Sequence, residues 1–142
     1  MFRGFAGNLG PMTTWPQVML TVDRVITAPP EAVWDVMTDV DTWPDWGPTI
    51  SRAEVDGSDT RIKYGSTGRV YTPLGVALPF VISEFDAGRF WAWTVSGVPA
   101  TRHRVDAVRD GARVSFEVPW WGSAYLPICS IALRRIQDLV GR

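Results

Sequence analysis

HRVDAVRDGARVSFEV (103–118) decides the reading of the fold. Two runs of alternating apolar and polar residues flank Asp110-Gly111, a strong short-range signal for a β-hairpin. Pairing outward from that turn sets Val108 opposite Arg113, Val105 opposite Phe116, Arg104 opposite Glu117 and His103 opposite Val118. Apolar residues then meet on one face, and Arg104 meets Glu117 on the other, as cross-strand pairing favours. A one-residue slip would scramble both faces, so His103 belongs on the inner one.

The neighbouring hairpins follow by the same logic. A turn at Ala87-Gly88 pairs Asp86 with Arg89, Ile82 with Trp93 and Phe80 with Val95, and it puts Glu84 opposite Trp91 near the hairpin tip. A loop over 97–99 pairs Trp93 with His103 and Trp91 with Val105. The predicted inner wall is Phe80, Ile82, Trp91, Trp93, His103, Val105, Phe116 and Val118, aromatic apart from its aliphatic members and a single imidazole.

Toward the N-terminus, residues 17–27 alternate around Met19, Thr21 and Val25 and read as a strand. Ala28-Pro29-Pro30-Glu31 opens a helix, with proline at its start, an acid in its first turn and an apolar stripe of Val33, Trp34, Met37 and Val40. DTWPDWGP (41–48) has room for one helical turn, carrying Trp43 and Trp46. Strands punctuated by Gly and Pro fill 49–120, and an amphipathic helix over 123–140 presents Tyr125, Cys129, Ala132, Ile136 and Val140 on one arc. This order predicts an α+β fold in which the last helix covers the apolar face of an antiparallel sheet. Residues 17–142 form the single domain, and 1–16 read as a loosely ordered extension.

The composition of the 142 residues excludes several function classes. Lys+Arg 14 against Asp+Glu 15 gives a net charge of -1, without the positive excess a nucleic-acid module needs. One Cys (Cys129) rules out an intramolecular disulfide, and one His (His103) argues against a protein-only zinc site. No phosphate loop, dinucleotide fingerprint or hydrolase elbow is present, so no cofactor is expected. The longest apolar stretch, 73–82, is broken by Pro and Gly and falls short of the ~20 residues of a membrane span. A cytoplasmic protein is expected, with no integral membrane association. The 8 Trp residues are the outlier, a density suited to lining a cavity or an interface.

VDRVITAPPEAVWDVMTDVDTWPDW (22–46), YGSTGRV (64–70), LPFVISEFDAGRFWAW (78–93) and HRVDAVRDGARVSFE (103–117) together resemble the SRPBCC, or START-like, superfamily of polyketide cyclases/dehydrases and lipid-transport proteins. The resemblance implies a helix-grip fold: a curved antiparallel sheet wrapped around a long C-terminal helix, with two short helices after the first strand. Its members include lipid carriers, hormone receptors and aromatase/cyclases, so it implies a fold more sharply than an activity.

The expected function is binding of a small hydrophobic or aromatic molecule, lipid or polyketide-like, in a cavity of roughly 300–1,000 Å³ between Trp91, Trp93 and the Cys129 face of the last helix. Trp46, at the rim, and Tyr125 join the inner-wall residues as its lining. His103 is either a polar anchor or, in a cyclase/aromatase-type enzyme, the acid/base. The inner face offers no partner carboxylate except Glu84, marginal at the hairpin tip, and this lack of a firm second titratable group favours the anchor. A Cys129–His103 nucleophilic pair lacks a visible orienting group, and a lone Cys on an apolar helix face is ordinarily a small buried hydrophobe. A third reading is an interaction module with a filled core. Trp120-Trp121 are a gate or a packing plug, and YTPLG (71–75) a lid or an ordinary hairpin turn. Arg69 and Tyr71 share one face, inward as a carboxylate anchor or outward if Val70 is the core residue.

Overall fold

The computed structural model describes residues 15–16 and 18–141. The expected extension over 1–16 therefore lies outside the described residues except for Trp15 and Pro16. Strand β1 (Met19–Ile26) leads into helix α1 (Pro30–Thr38), a 3-10 turn (Val40–Thr42) and helix α2 (Trp43–Trp46). Six strands follow: β2 (Arg52–Val55), β3 (Thr67–Tyr71), β4 (Ala77–Asp86), β5 (Phe90–Val95), β6 (Val98–Val108) and β7 (Gly111–Pro119). A second 3-10 turn (Trp120–Tyr125) feeds helix α3 (Leu126–Val140). The helix thus starts three residues later than the apolar arc predicts, because Pro127 sits best in a first turn, where its missing N–H costs nothing.

The strands form one antiparallel sheet in the order β1-β7-β6-β5-β4-β3-β2. Consecutive strands from β2 to β7 are neighbours, while β1 returns to pair with β7. The segment containing α1 and α2 must therefore run from one sheet edge to the other. Helix α3 packs against β1, β7, α1 and α2, so that the curved sheet grips it as the helix-grip expectation requires. Bulges interrupt β4 at Ser83, between Ile82 and Glu84, and β6 at Ala100, between Pro99 and Thr101. Each adds a residue to one strand and bends it there.

The faces of the central strands follow the sequence expectation, but two registers are displaced by two residues. His103 pairs with Phe116 and Arg102 with Glu117, in place of His103–Val118 and Arg104–Glu117. The two-residue turn is Arg109-Asp110, with Asp110 at φ 64, rather than Asp110-Gly111. Gly111 is needed for a different reason: a Cβ there would stand 2.2 Å from the Ile26 carbonyl oxygen, where β1 closes on the hairpin. Likewise Ser96-Gly97, at φ 53 and 81, makes a tighter turn than a loop over 97–99. It pairs Trp91 with His103 and Trp93 with Thr101. A slip of two preserves which side chains face inward, since the pleat repeats every two residues.

Elsewhere the phase itself changes. In β1, Leu20, Val22 and Ile26 contribute to the core, while Val25 is exposed. They follow the inward residues of β7, with Leu20 opposite Val118 and Val22 opposite Phe116. The β4 bulge moves Glu84 from the inner face, where it was expected opposite Trp91, to a position opposite Ala92. There its Oε1 accepts from Arg102 Nη2 at 2.9 Å, and Phe85 takes the place opposite Trp91. Arg104, opposite Ser115, lies over the Phe90 ring at 5.0 Å.

Replacing Gly111 with Ala should destabilise the protein by about 2–4 kcal/mol, because backbone rather than a flexible side chain occupies the space. Gly122→Ala, whose Cβ would lie 3.6 Å from Val118, should fall within about 0.5 kcal/mol of the parent. Urea denaturation of the two variants checks the contrast.

Candidate functional site

Trp43 dominates the interior. Helix α2 is a single turn with Pro44 inside it, and it drives the Trp43 ring between sheet and helix, where it is 0% exposed. Its Nε1 donates to the Met37 carbonyl at 2.9 Å, so the burial leaves no orphaned donor on this ring. The ring stacks on Trp91, with centroids 5.4 Å apart and planes at 8°, and Trp91 stacks in turn on His103 at 3.8 Å and 19°. Phe80 and Trp93 close on Trp43 from the side, at 5.3 Å each.

This packing occupies the space in which a large cavity was expected. Between Trp91, Trp93, His103 and the Cys129 face of α3 the remaining chamber is about 30 Å³, room for one water molecule. The larger space lies beside it, toward the end of the sheet where β3–β4, β5–β6 and the 120–125 turn meet. That cleft has a volume of about 380 Å³ and is lined by Thr49, Ile50, Val70, Leu78, Val95, Ala100, Val118, Trp121 and others. Ile50, Trp93, Thr101 and Tyr125 line both spaces and form the wall between them. Tyr125 and Thr49 share a hydrogen bond of 2.6 Å across this region. A recess of about 500 Å³ at the far end of α3, between residues 25–27 and Gln137–Gly141, touches none of the inner-wall residues.

The residues singled out from sequence are thereby divided. Trp46, Trp91, His103, Phe116 and Cys129 line the chamber, Val118 lines the cleft, and Trp93 and Tyr125 line both. Phe80, Ile82 and Val105 are buried core residues that border neither. Trp121 forms part of the cleft wall and remains 49% exposed, while Trp120 beside it is 56% exposed. Thr72 borders the cleft, but the turn it begins is closed by Thr72 and Val76 backbone groups and leaves Leu74 92% exposed, so YTPLG is a hairpin turn and covers nothing. Arg69 and Tyr71 face outward, both donating to Glu54 Oε1, with Val70 in the core.

His103 is 3% exposed, and burial pushes its pKa down to about 3. Its Nδ1 lies 3.3 Å from the Trp91 carbonyl oxygen. A carbonyl only accepts, so Nδ1 carries the proton and Nε2 is left as the acceptor of a neutral ring. Burial pushes the Cys129 thiol up to about 11, and it raises the Tyr125 phenol above its usual range. The shifts of Cys129 and His103 both oppose a thiolate–imidazolium pair, which would need charges this interior disfavours. Among the described residues three indole Nε1 atoms are buried without a hydrogen-bond partner, those of Trp15, Trp91 and Trp93, and the last two belong to rings that line the chamber. Among the described residues no group of three His, Cys, Asp or Glu side chains could hold a metal ion. No helix among them is long and apolar enough to cross a membrane.

This architecture, with its helix-facing aromatic wall and neighbouring cleft, agrees with the comparison by sequence. Residues 17–137 match the family model described as polyketide cyclase / dehydrase and lipid transport. The chain belongs to this family. Several solved structures share the family's fold with it. The protein XoxI from Bacillus cereus is 16% identical, covering 87% of this chain and 96% of that one, with a TM-score of 0.67. The Aha1 dimer from Colwellia psychrerythraea is also 16% identical, over 87% and 96%, with a TM-score of 0.66. Ara h 8.0201 is 15% identical, over 87% and 97%, with a TM-score of 0.63. The search of curated proteins found no match.

The buried neutral imidazole of His103 has a measurable signature. The folded state binds the His103 proton near pH 3 and the unfolded chain near 6.5. Between these values the unfolded state holds more protons, so stability is complete above about pH 6.5 and falls on acidification. From pH 6.5 to about pH 5 the expected loss is roughly 1.5 kcal/mol. Denaturant melts should show this slope in the parent protein and its disappearance in His103→Leu.

Proposed function

We propose that the protein binds a small apolar or aromatic molecule in the 380 Å³ cleft between the sheet, Trp121 and Tyr125. The observation that carries the reading is the cleft's wall, which is apolar or hydroxyl-bearing and includes no charged side chain. Burial of apolar surface would supply most of the affinity, with a few polar groups setting orientation. The volume falls within the range of small-molecule sites. The family's description, polyketide cyclase / dehydrase and lipid transport, supports a role in holding such molecules. In this reading the filled aromatic stack is the rigid floor of the site, and His103 lies in the chamber behind it.

A proton-transfer role for His103 finds little support in the geometry. Glu84 is committed to Arg102 on the outer face, and the imidazole is neutral and enclosed. The binding reading is tested by titrating the protein with naphthalene while following tryptophan emission. Saturable one-to-one binding is expected. Ala100→Phe, which places a ring in the cleft, should weaken it by at least about tenfold, a change of about 1.4 kcal/mol. Equal affinity in the two proteins would remove the cleft from consideration.

A further inference from the structure

We infer that the cleft end of the sheet is a docking face for an electroneutral phospholipid bilayer, with the Trp120 and Trp121 rings seated among the headgroups. Charge is segregated along the strand axis. Four connections meet at this end, residues 47–51, 72–76, 96–97 and 120–125, and none contains Asp, Glu, Lys or Arg. The hairpin connections at the opposite end all carry charge: Asp56, Asp59, Arg61 and Lys63 after β2, Arg89 after β4, and Arg109 with Asp110 after β6. The uncharged end is also apolar. Leu74, Val76, Val98, Trp120, Trp121 and Tyr125 are exposed there, and no residue of the Trp120–Tyr125 turn is buried. Thr72, Pro99 and Trp121 all line the cleft, so these tips surround its mouth.

Apolar side chains scattered singly over a surface need no explanation, but a cluster at one end from which charge is missing does. The two indoles of the turn pack edge to face against each other, with centroids 5.8 Å apart. An indole has an apolar body and one N–H, and it settles at the level of lipid headgroups, where one end is dry and the other wet. Separate loop tips around an opening suit a fluid partner. Acyl chains and headgroups fill the spaces between such tips, whereas a rigid protein surface would rest on them and forfeit dispersion contacts over the voids beneath. The lack of cations in the four connections points away from anionic lipid, which basic segments recognise. The docking goes beyond the ligand reading and stands without it. Together the two turn the cleft mouth toward the phase in which apolar molecules dissolve.

Flotation of the full chain with phosphatidylcholine vesicles tests the face. The parent protein should float with the vesicles. Replacing part of the lipid with phosphatidylglycerol, or raising NaCl from about 0.1 to about 0.5 M, should change the bound fraction by less than about twofold. Leu74→Glu and Trp120→Glu should each weaken partitioning at least about tenfold, because each removes an inserted apolar group and adds a charge. Tyr64→Glu, also exposed but at the opposite end, should leave it unchanged. Naphthalene binding without vesicles should be retained in Leu74→Glu and Trp120→Glu, since neither residue lines the cleft. Docking and cleft binding are thus read separately, and either can fail alone. Absence of flotation, flotation only with anionic lipid, or equal flotation of the parent and the Leu74→Glu and Trp120→Glu variants would overturn the inference. So would a dimer in sedimentation velocity that the same two substitutions dissociate, since a second copy of the chain would then cover this face.

Discussion

The face-to-face stack of Trp43 on Trp91, continued by Trp91 on His103, joins the two parts of this molecule that the strand order holds apart. The connection from β1 must run past the open side of the sheet to its opposite edge, and α2 is too short to sustain itself there. Trp43 secures it by burying a whole indole ring against the central strands, with its N–H satisfied by Met37. Trp46, from the same turn, reaches Phe116 and His103 with ring centroids 5.9 and 6.3 Å away. The core, the position of α3 and the shape of the remaining space all follow from these rings. Aromatic pairs of this kind contribute about 0.5–1.5 kcal/mol each beyond their area, and here they share members, so loss of one ring would be felt by several.

A filled interior leaves the open space at the margin. The aromatic wall that a sequence reading places around a ligand is, in the folded chain, largely engaged with itself. What stays open is the region that Trp43 does not reach, where the ends of four strands diverge and the chain turns into α3. The cleft is consequently floored by rigid, densely packed rings and edged by loop residues such as Trp121. Such a site offers fixed geometry at its closed end and adaptable contacts at its mouth.

Much of this was legible in the sequence, and the losses have specific causes. Alternation over 103–118 placed His103 inside because the inward set repeats every second residue, so a register displaced by two left its face unchanged. The same displacement hid Thr101, whose place opposite Trp93 depends on the tight Ser96-Gly97 turn. Glu84 was misplaced because a bulge is not visible as a break in alternation. Gly111 looked like a turn residue, whereas its lack of a Cβ serves the approach of β1. The cavity was the largest discrepancy. Trp43 carried no periodic signal, lying on a four-residue helix, and only the three-dimensional path of the chain reveals which volume its ring fills.

The pairing of β1 with β7 has a consequence for how the chain acquires this structure. Partners in that pair lie between 86 residues (Ile26 and Ala112) and 100 residues (Met19 and Pro119) apart in sequence. On the ribosome the first strand emerges long before its partner, about 5–20 s earlier at ordinary rates of synthesis. The meander from β2 to β7 is assembled from sequence-adjacent strands and needs no such wait. Closing the sheet is thus the slow, entropically costly step of folding. Until it occurs, β1 and the inner aromatic rings are the segments a chaperone would have reason to hold.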